Sequence, residues 1–294
     1  MGVPVNLKDT LIVTRFDYRN LVRSAPGVIF LVVYLFVVVQ LGAISIDLIP
    51  FSAGEPSPMC KLPEGAAPTK VKDKIQRSLP PFSNVSPEAW RFLECERPVV
   101  MSVFFLIALF VVPFLVLLLS FNQVAGYLHR KSIRYILPKT GRLELYLGLF
   151  LSNLKFFTVV SGAVTVAVTL GWLIVGRDIA FGTVMIFSAR IFIALWLSAV
   201  PLIAFMSMMA AMVGKPTGTF FLGVGFYLAV DIIGGLMTRQ TEYAKVFFYV
   251  LPLEVKYWFA YPSLGHFLGA AVLMVCYTAA YLAIGWAFLR RRNV

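Results

Sequence analysis

Six apolar stretches of near membrane-spanning length divide this 294-residue chain, and they dictate what it can fold into. About 20 consecutive apolar residues let an α-helix cross a bilayer, and within lipid only helices and closed barrels satisfy their own backbone groups. The stretches are Gly27–Ile46, Pro98–Phe121, Phe156–Gly176, a span within Ile179–Val213, Thr217–Met237 and Leu264–Leu289. The third continues an amphipathic run that starts at Leu143. Pro113 falls inside the second as a tolerated kink, and Gly214–Lys215–Pro216 is a sharp turn between the fourth and fifth.

The charges choose the orientation. The segments before Gly27, from Phe121 to Lys155, around Lys215 and after Leu289 together hold 14 Lys/Arg and 3 acids, a net of +11. The remaining gaps hold 11 Lys/Arg and 10 acids, a net of +1. Cytoplasmic loops collect Lys and Arg, so both termini and the even-numbered gaps are expected inside. The reading is an all-α polytopic membrane protein with six transmembrane helices, N-in and C-in. Composition agrees: 60% of residues are hydrophobic and 14% charged, against roughly 45–50% and about 25% in soluble domains. The net charge of +12 lies beside apolar runs. Anionic headgroups rather than nucleic acid are therefore its expected partner. The first apolar run is too long for the core of a removable signal peptide.

Four sizeable segments fall outside the spans, and three are taken first. Residues 5–24 interleave Leu7, Leu11, Phe16, Leu21 and Val22 with Lys8, Arg15, Arg19 and Arg23. That pattern predicts a helix lying in the inner interface with its basic side chains snorkelling to headgroups; the alternative is a solvated basic leader. Residues 47–97 form a Pro-rich extracytoplasmic loop holding Cys60 and Cys95. An oxidising compartment predicts a disulfide between them, two free thiols being the alternative. Residues 238–263 are dense in Phe, Tyr and Trp and broken at Pro252 and Pro262, which predicts two short helices dipping into the outer leaflet and covered by the spans.

Two charges sit within spans, Arg190 and Asp231. Intramembrane charge costs about 2.5–3.5 kcal/mol on insertion scales and marks a functional hypothesis. A structural ion pair or protein-facing polar contact is one reading, and a substrate pathway is the other. His266, at the outer start of the last span, reads as an interfacial residue, with a proton relay as the alternative.

Between spans two and three, residues 122–142 contain a basic amphipathic stretch. Val124–Tyr135 predicts a short helix bearing His129, Arg130, Lys131 and Arg134, before a Pro138–Gly141 turn. Charge alone would equally suit a lipid-binding helix.

The whole layout resembles the permease subunits of ABC-2 type ATP-binding-cassette transporters. The resemblance is carried by residues 15–24 (RFDYRNLVRS), 132–148 (SIRYILPKTGRLELYLG) and 285–294 (GWAFLRRRNV), in that order over nearly the whole chain. The chain has Tyr127 where such proteins usually carry Glu, and Lys131–Ser132 where they carry Gly–Thr. The resemblance implies an interfacial helix before span one, a coupling helix between spans two and three, and re-entrant helices before span six. Tyr127, Arg130, Lys131, Ser132 and Arg134 become the expected ATPase-coupling residues. It further implies two copies of a cytoplasmic ATPase, a second permease chain, and residence in a bacterial inner membrane. The 47–97 loop has three readings: an exit gate, a docking site for an extracytoplasmic accessory protein, or a cap. Export is the expected direction.

The chain has no GxxxxGK[ST] cradle, since Gly214–Lys215 runs into Pro216, and no HExxH or paired-Cys metal motif. Catalysis and cofactors are thus expected elsewhere, with ATP and Mg held by the partner. An ATP-independent secondary transporter and a permease-like subunit of an envelope assembly machine are the competing readings.

Overall fold

The computed structural model describes residues 6–25, 27–36, 89, 92–93, 99–129, 140–175, 181–237 and 251–291. Among these every regular element is helical: α1 (Leu7–Arg23), α2 (Gly27–Phe36), α3 (Val99–Ser120), α4 (Gln123–His129), α5 (Arg142–Val175), α6 (Phe181–Val213), α7 (Pro216–Met237), a 3-10 helix (Val255–Ala260) and α8 (Leu264–Arg291). Cys60 and Cys95, the rest of the 47–97 loop, and residues 37–46, 130–139, 176–180 and 238–250 lie outside the described set, apart from 89 and 92–93. That exclusion takes in Arg130, Lys131, Ser132 and Arg134.

Four helical runs are long and apolar enough to cross a membrane: Met101–His129, which joins α3 to α4, then Arg142–Ile174, Phe181–Val213 and Leu264–Arg291. They mark the chain as a membrane protein. A fifth appears if the bent pair α1–α2 is counted as one span, and α7 contributes the shorter apolar stretch Pro216–Val230. α1 carries Lys8, Arg15, Arg19 and Arg23, all exposed.

Helix ends follow local chemistry. The Asn6 side chain caps α1 by accepting from Lys8 N at 3.2 Å, and its amide donates to Asp9 Oδ2 at 2.9 Å. This satisfies a free first-turn donor and sets an acid at the positive end of the helix. The helix closes at Ser24, whose backbone turns extended. Gly214 (φ 74°) separates α6 from α7 in the left-handed conformation that glycine tolerates best, while its N–H reaches Ala210 O at 2.9 Å.

α6 is the hub of the bundle. It packs against α3, α4, α5, α7, α8 and the 3-10 helix, and Ala194, Ala199, Ala204, Ala210 and Ala211 are buried along it. Small residues let neighbouring backbones approach when lipid offers no hydrophobic drive for association. Hydroxyls add polar links: Thr169 and Ser188 sit 2.5 Å apart, and Trp196 Nε1 donates to Thr158 Oγ1 at 2.8 Å. A β-carbon at Gly285 on α8 would lie 2.1 Å from the Tyr146 hydroxyl and 2.9 Å from Met208 Cα. Only glycine admits that three-helix contact.

With 34 residues, α5 is roughly 50 Å long against a hydrocarbon core of about 30 Å. It is longer than a bilayer needs, and α1 and α4 pack against its first turns.

Candidate functional site: a buried polar junction of α1, α4 and α5

α1 turns Thr10, Val13, Thr14, Asp17 and Leu21 toward the protein. These positions fall on one stripe of a 3.6-residue helix. Asn6 N donates to Glu144 Oε1 (3.3 Å), Thr14 Oγ1 to Gly148 O (3.2 Å), and the Lys155 ammonium lies 4.9 Å from the Tyr18 ring centre. Residue numbers rise together along both helices, so α1 runs beside α5 in the same direction. Gly148 permits the contact, because a β-carbon there would sit 2.7 Å from Val13 Cγ1 and 3.1 Å from Thr10 O.

Asp17 is the centre of the junction. It is 4% exposed, and its carboxylate accepts from two side chains of α4: Gln123 Nε2 at Oδ2, and the Tyr127 hydroxyl at Oδ1, 3.0 Å away. Desolvation pushes the Asp17 carboxyl above its ordinary value; donors on Gln123, Ser152 and Tyr127 pull against that shift without cancelling it. Ser152 Oγ is near enough to favour the ionised form but makes no hydrogen bond of ordinary geometry. Gln123 Oε1 is buried without a partner on the other side of the same amide. Beneath this polar layer, Val13, Val124, Ala125, Leu145, Leu149 and Ala210 form a small apolar floor, with Tyr127 and Leu128 against it.

The arrangement is mechanical. A seven-residue helix joined through Phe121–Asn122 to the end of α3 is pinned by its polar side chains to α1, and α1 is pinned to α5. Displacing α4 must displace its neighbours or break hydrogen bonds to a buried carboxylate, so force applied at α4 reaches three helices. Of the expected coupling residues, Tyr127 is in the junction; the four that follow it lie outside the described residues. Sequence reasoning missed Asp17, Gln123 and Ser152. The available signal was that Asp17 shares the stripe of Thr10, Val13 and Thr14.

The two charges expected within spans are placed differently. Arg190 on α6 donates through Nη2 to Phe259 O (3.3 Å) and to Tyr261 O. Its guanidinium stands 5.1 and 5.2 Å from the ring centres of Phe92 and Phe267. The cation thus meets the carbonyl end of the 3-10 helix, where the backbone dipole is negative. Asp231 lies on α7, and its side chain is outside the described set. His266 stacks on Tyr261 at 4.6 Å, and its Nδ1 pairs with Ser263 Oγ. Among the described residues, no group of three or more His, Cys, Asp or Glu is placed to hold a metal ion.

No protein-family model matches this chain, and no curated protein matches it either.

Proposed function

We propose that this chain is the transmembrane subunit of an ABC-2 type transporter, an exporter driven by a separate cytoplasmic ATPase. One observation carries the reading: the helix that follows α3 is locked through Gln123 and Tyr127 to Asp17 of a helix preceding the spans. A lever of that kind serves a protein that receives force from outside the membrane. In this reading the chain crosses the membrane six times, with α2 beginning the first span and α7 forming the fifth, and both termini are cytoplasmic. The working unit is two permease chains with two ATPases, in a bacterial inner membrane.

ATP-driven closure of the ATPases pushes α4 and the basic residues Arg130, Lys131 and Arg134 beyond it. The junction passes that push to α1 and α5, and the two permease halves rock as rigid bodies. Charge complementarity between the basic segment and an acidic groove on the ATPase supplies orientation and association rate more than affinity. The 3-10 helix held by Arg190 belongs to the outer re-entrant segment and closes the far end.

The test is co-purification in detergent. The wild-type chain should recover a nucleotide-binding subunit, whereas Arg130→Glu with Arg134→Glu should lose it while the permease stays folded. An intact chain that recovers no such subunit and moves substrate without ATP after reconstitution is a secondary transporter, and the proposal fails.

A further inference from the structure

Asp17 is an acid buried where α1, α4 and α5 meet, and a buried carboxylate is normally paired with a cation or bound to a metal ion. Among the described residues, the side chains that act on it are Gln123, Ser152 and Tyr127, all of them neutral. Lys155, further along α5, is turned to the Tyr18 ring, 4.9 Å from its centre. Beside the carboxylate stand two oxygens that make no hydrogen bond: Gln123 Oε1, on a residue 7% exposed, and Ser152 Oγ, on a residue 0% exposed. The first is carried by the amide that donates to Asp17 Oδ2, and the second acts on the carboxyl from α5. Buried polar atoms of this kind nearly always have partners. Three helices thus bring a carboxylate, an amide oxygen and a hydroxyl oxygen together in the protein interior.

We infer that the Asp17 carboxylate, Gln123 Oε1 and Ser152 Oγ form a binding site for an alkali-metal cation, which ties α1, α4 and α5 together. Oxygen ligands, without sulfur or imidazole, suit a hard cation and not a soft transition metal. One carboxylate is balanced by a single positive charge, whereas a divalent ion would leave an uncompensated charge in the interior. The apolar floor of Val13, Leu145 and Leu149 keeps the local dielectric low, and this strengthens the attraction between ion and carboxylate. With the ion bound, α4 is held to α1 and α5 through a charge as well as through hydrogen bonds. Alkali cation therefore sets the stiffness of the junction. The inference rests on the junction and not on the ATPase, so either can fail without the other.

The experiment is amide hydrogen exchange on the full-length chain in zwitterionic detergent, at slightly alkaline pH where a proton competes least for Asp17. Sodium or potassium chloride replaces choline chloride at constant ionic strength, choline being too large for the site. Exchange reads the population of the opened junction. A cation that binds only the closed form slows exchange by about tenfold at ten times its dissociation constant. Residues 7–23 and 123–129 should show that slowing, and it should saturate. Ser152→Ala keeps the carboxylate and should raise the half-saturating concentration about ten- to a hundredfold. Tyr127→Phe removes a donor and not a ligand, so the response should remain, whereas Asp17→Asn should abolish it. Equal exchange in choline and alkali chlorides overturns the inference, because a proton or another side chain then neutralises Asp17. A response that survives Asp17→Asn, or one that follows ionic strength with any cation, also overturns it.

Discussion

The Tyr127 hydroxyl donates to Asp17 Oδ1 at 3.0 Å, joining positions 110 residues apart in the chain. The phenol serves an acid already present on α1. Replacing Tyr127 by Phe removes one donor from a buried acceptor and should weaken the attachment of α1 by about 1–3 kcal/mol. Faster exchange of the α1 amides, with the α5 and α6 amides unchanged, is the expected readout.

The pH response of the junction has a definite sign. Burial holds the folded-state pKa of Asp17 above the 3.8 of an ordinary Asp, so between those two values the folded chain keeps a proton that the unfolded chain has lost. Stability then falls as pH rises through that window. The Asp17 contribution is most favourable below the unfolded value and is lost by the time pH passes the folded one. Asp17→Asn should remove this component. The melting temperature of wild type minus that of the variant, measured in one detergent, should decline from acid toward neutral pH.

Gly148 tests the closeness of α1 and α5. An alanine β-carbon would meet Val13 Cγ1 at 2.7 Å, and such overpacking typically costs about 1–3 kcal/mol. The gain in helix propensity, about 1 kcal/mol, accrues to α5 alone. Gly148→Ala should therefore loosen α1 while α5 stays intact, and adding Val13→Ala should restore most of the attachment. A cross-link between α1 and α5 would report both changes.

Arg190 makes a separate prediction. Methionine at this position withdraws a charged donor from the carbonyls of Phe259 and Tyr261; bonds of this kind are worth about 1.5–3 kcal/mol each. Residues 255–261 should exchange faster, with Arg190→Gln intermediate because its amide retains one donor group. If the methionine variant leaves that segment fully protected, Arg190 does not anchor it.

Much of the helical order was legible in the sequence, since apolar runs bounded by Pro, Gly and charge mark helix ends through local chemistry. The expected Pro98–Phe121 became α3 at Val99–Ser120, Thr217–Met237 became α7 at Pro216–Met237, and Leu264–Leu289 became α8 at Leu264–Arg291. The third span and its amphipathic lead were recognised, and the structure joins them in one helix, α5. The site was less legible. An acid among Arg15, Arg19 and Arg23 reads as a solvated charge, and nothing within α1 announces that Gln123 and Tyr127 will bury it. Arg190 invited a search for a carboxylate, whereas the partners found are backbone carbonyls, which have no sequence signature. The basic helix expected over Val124–Tyr135 begins at Gln123 and is described as far as His129.

The most direct test of the central claim is a photo-crosslinker placed at His129, the exposed last residue of α4, in native membranes. The account predicts covalent capture of a soluble nucleotide-binding subunit, in a yield that changes with ATP. ATP hydrolysis by that subunit should also depend on the permease. Capture of lipid alone, in membranes where the chain still transports, would contradict it.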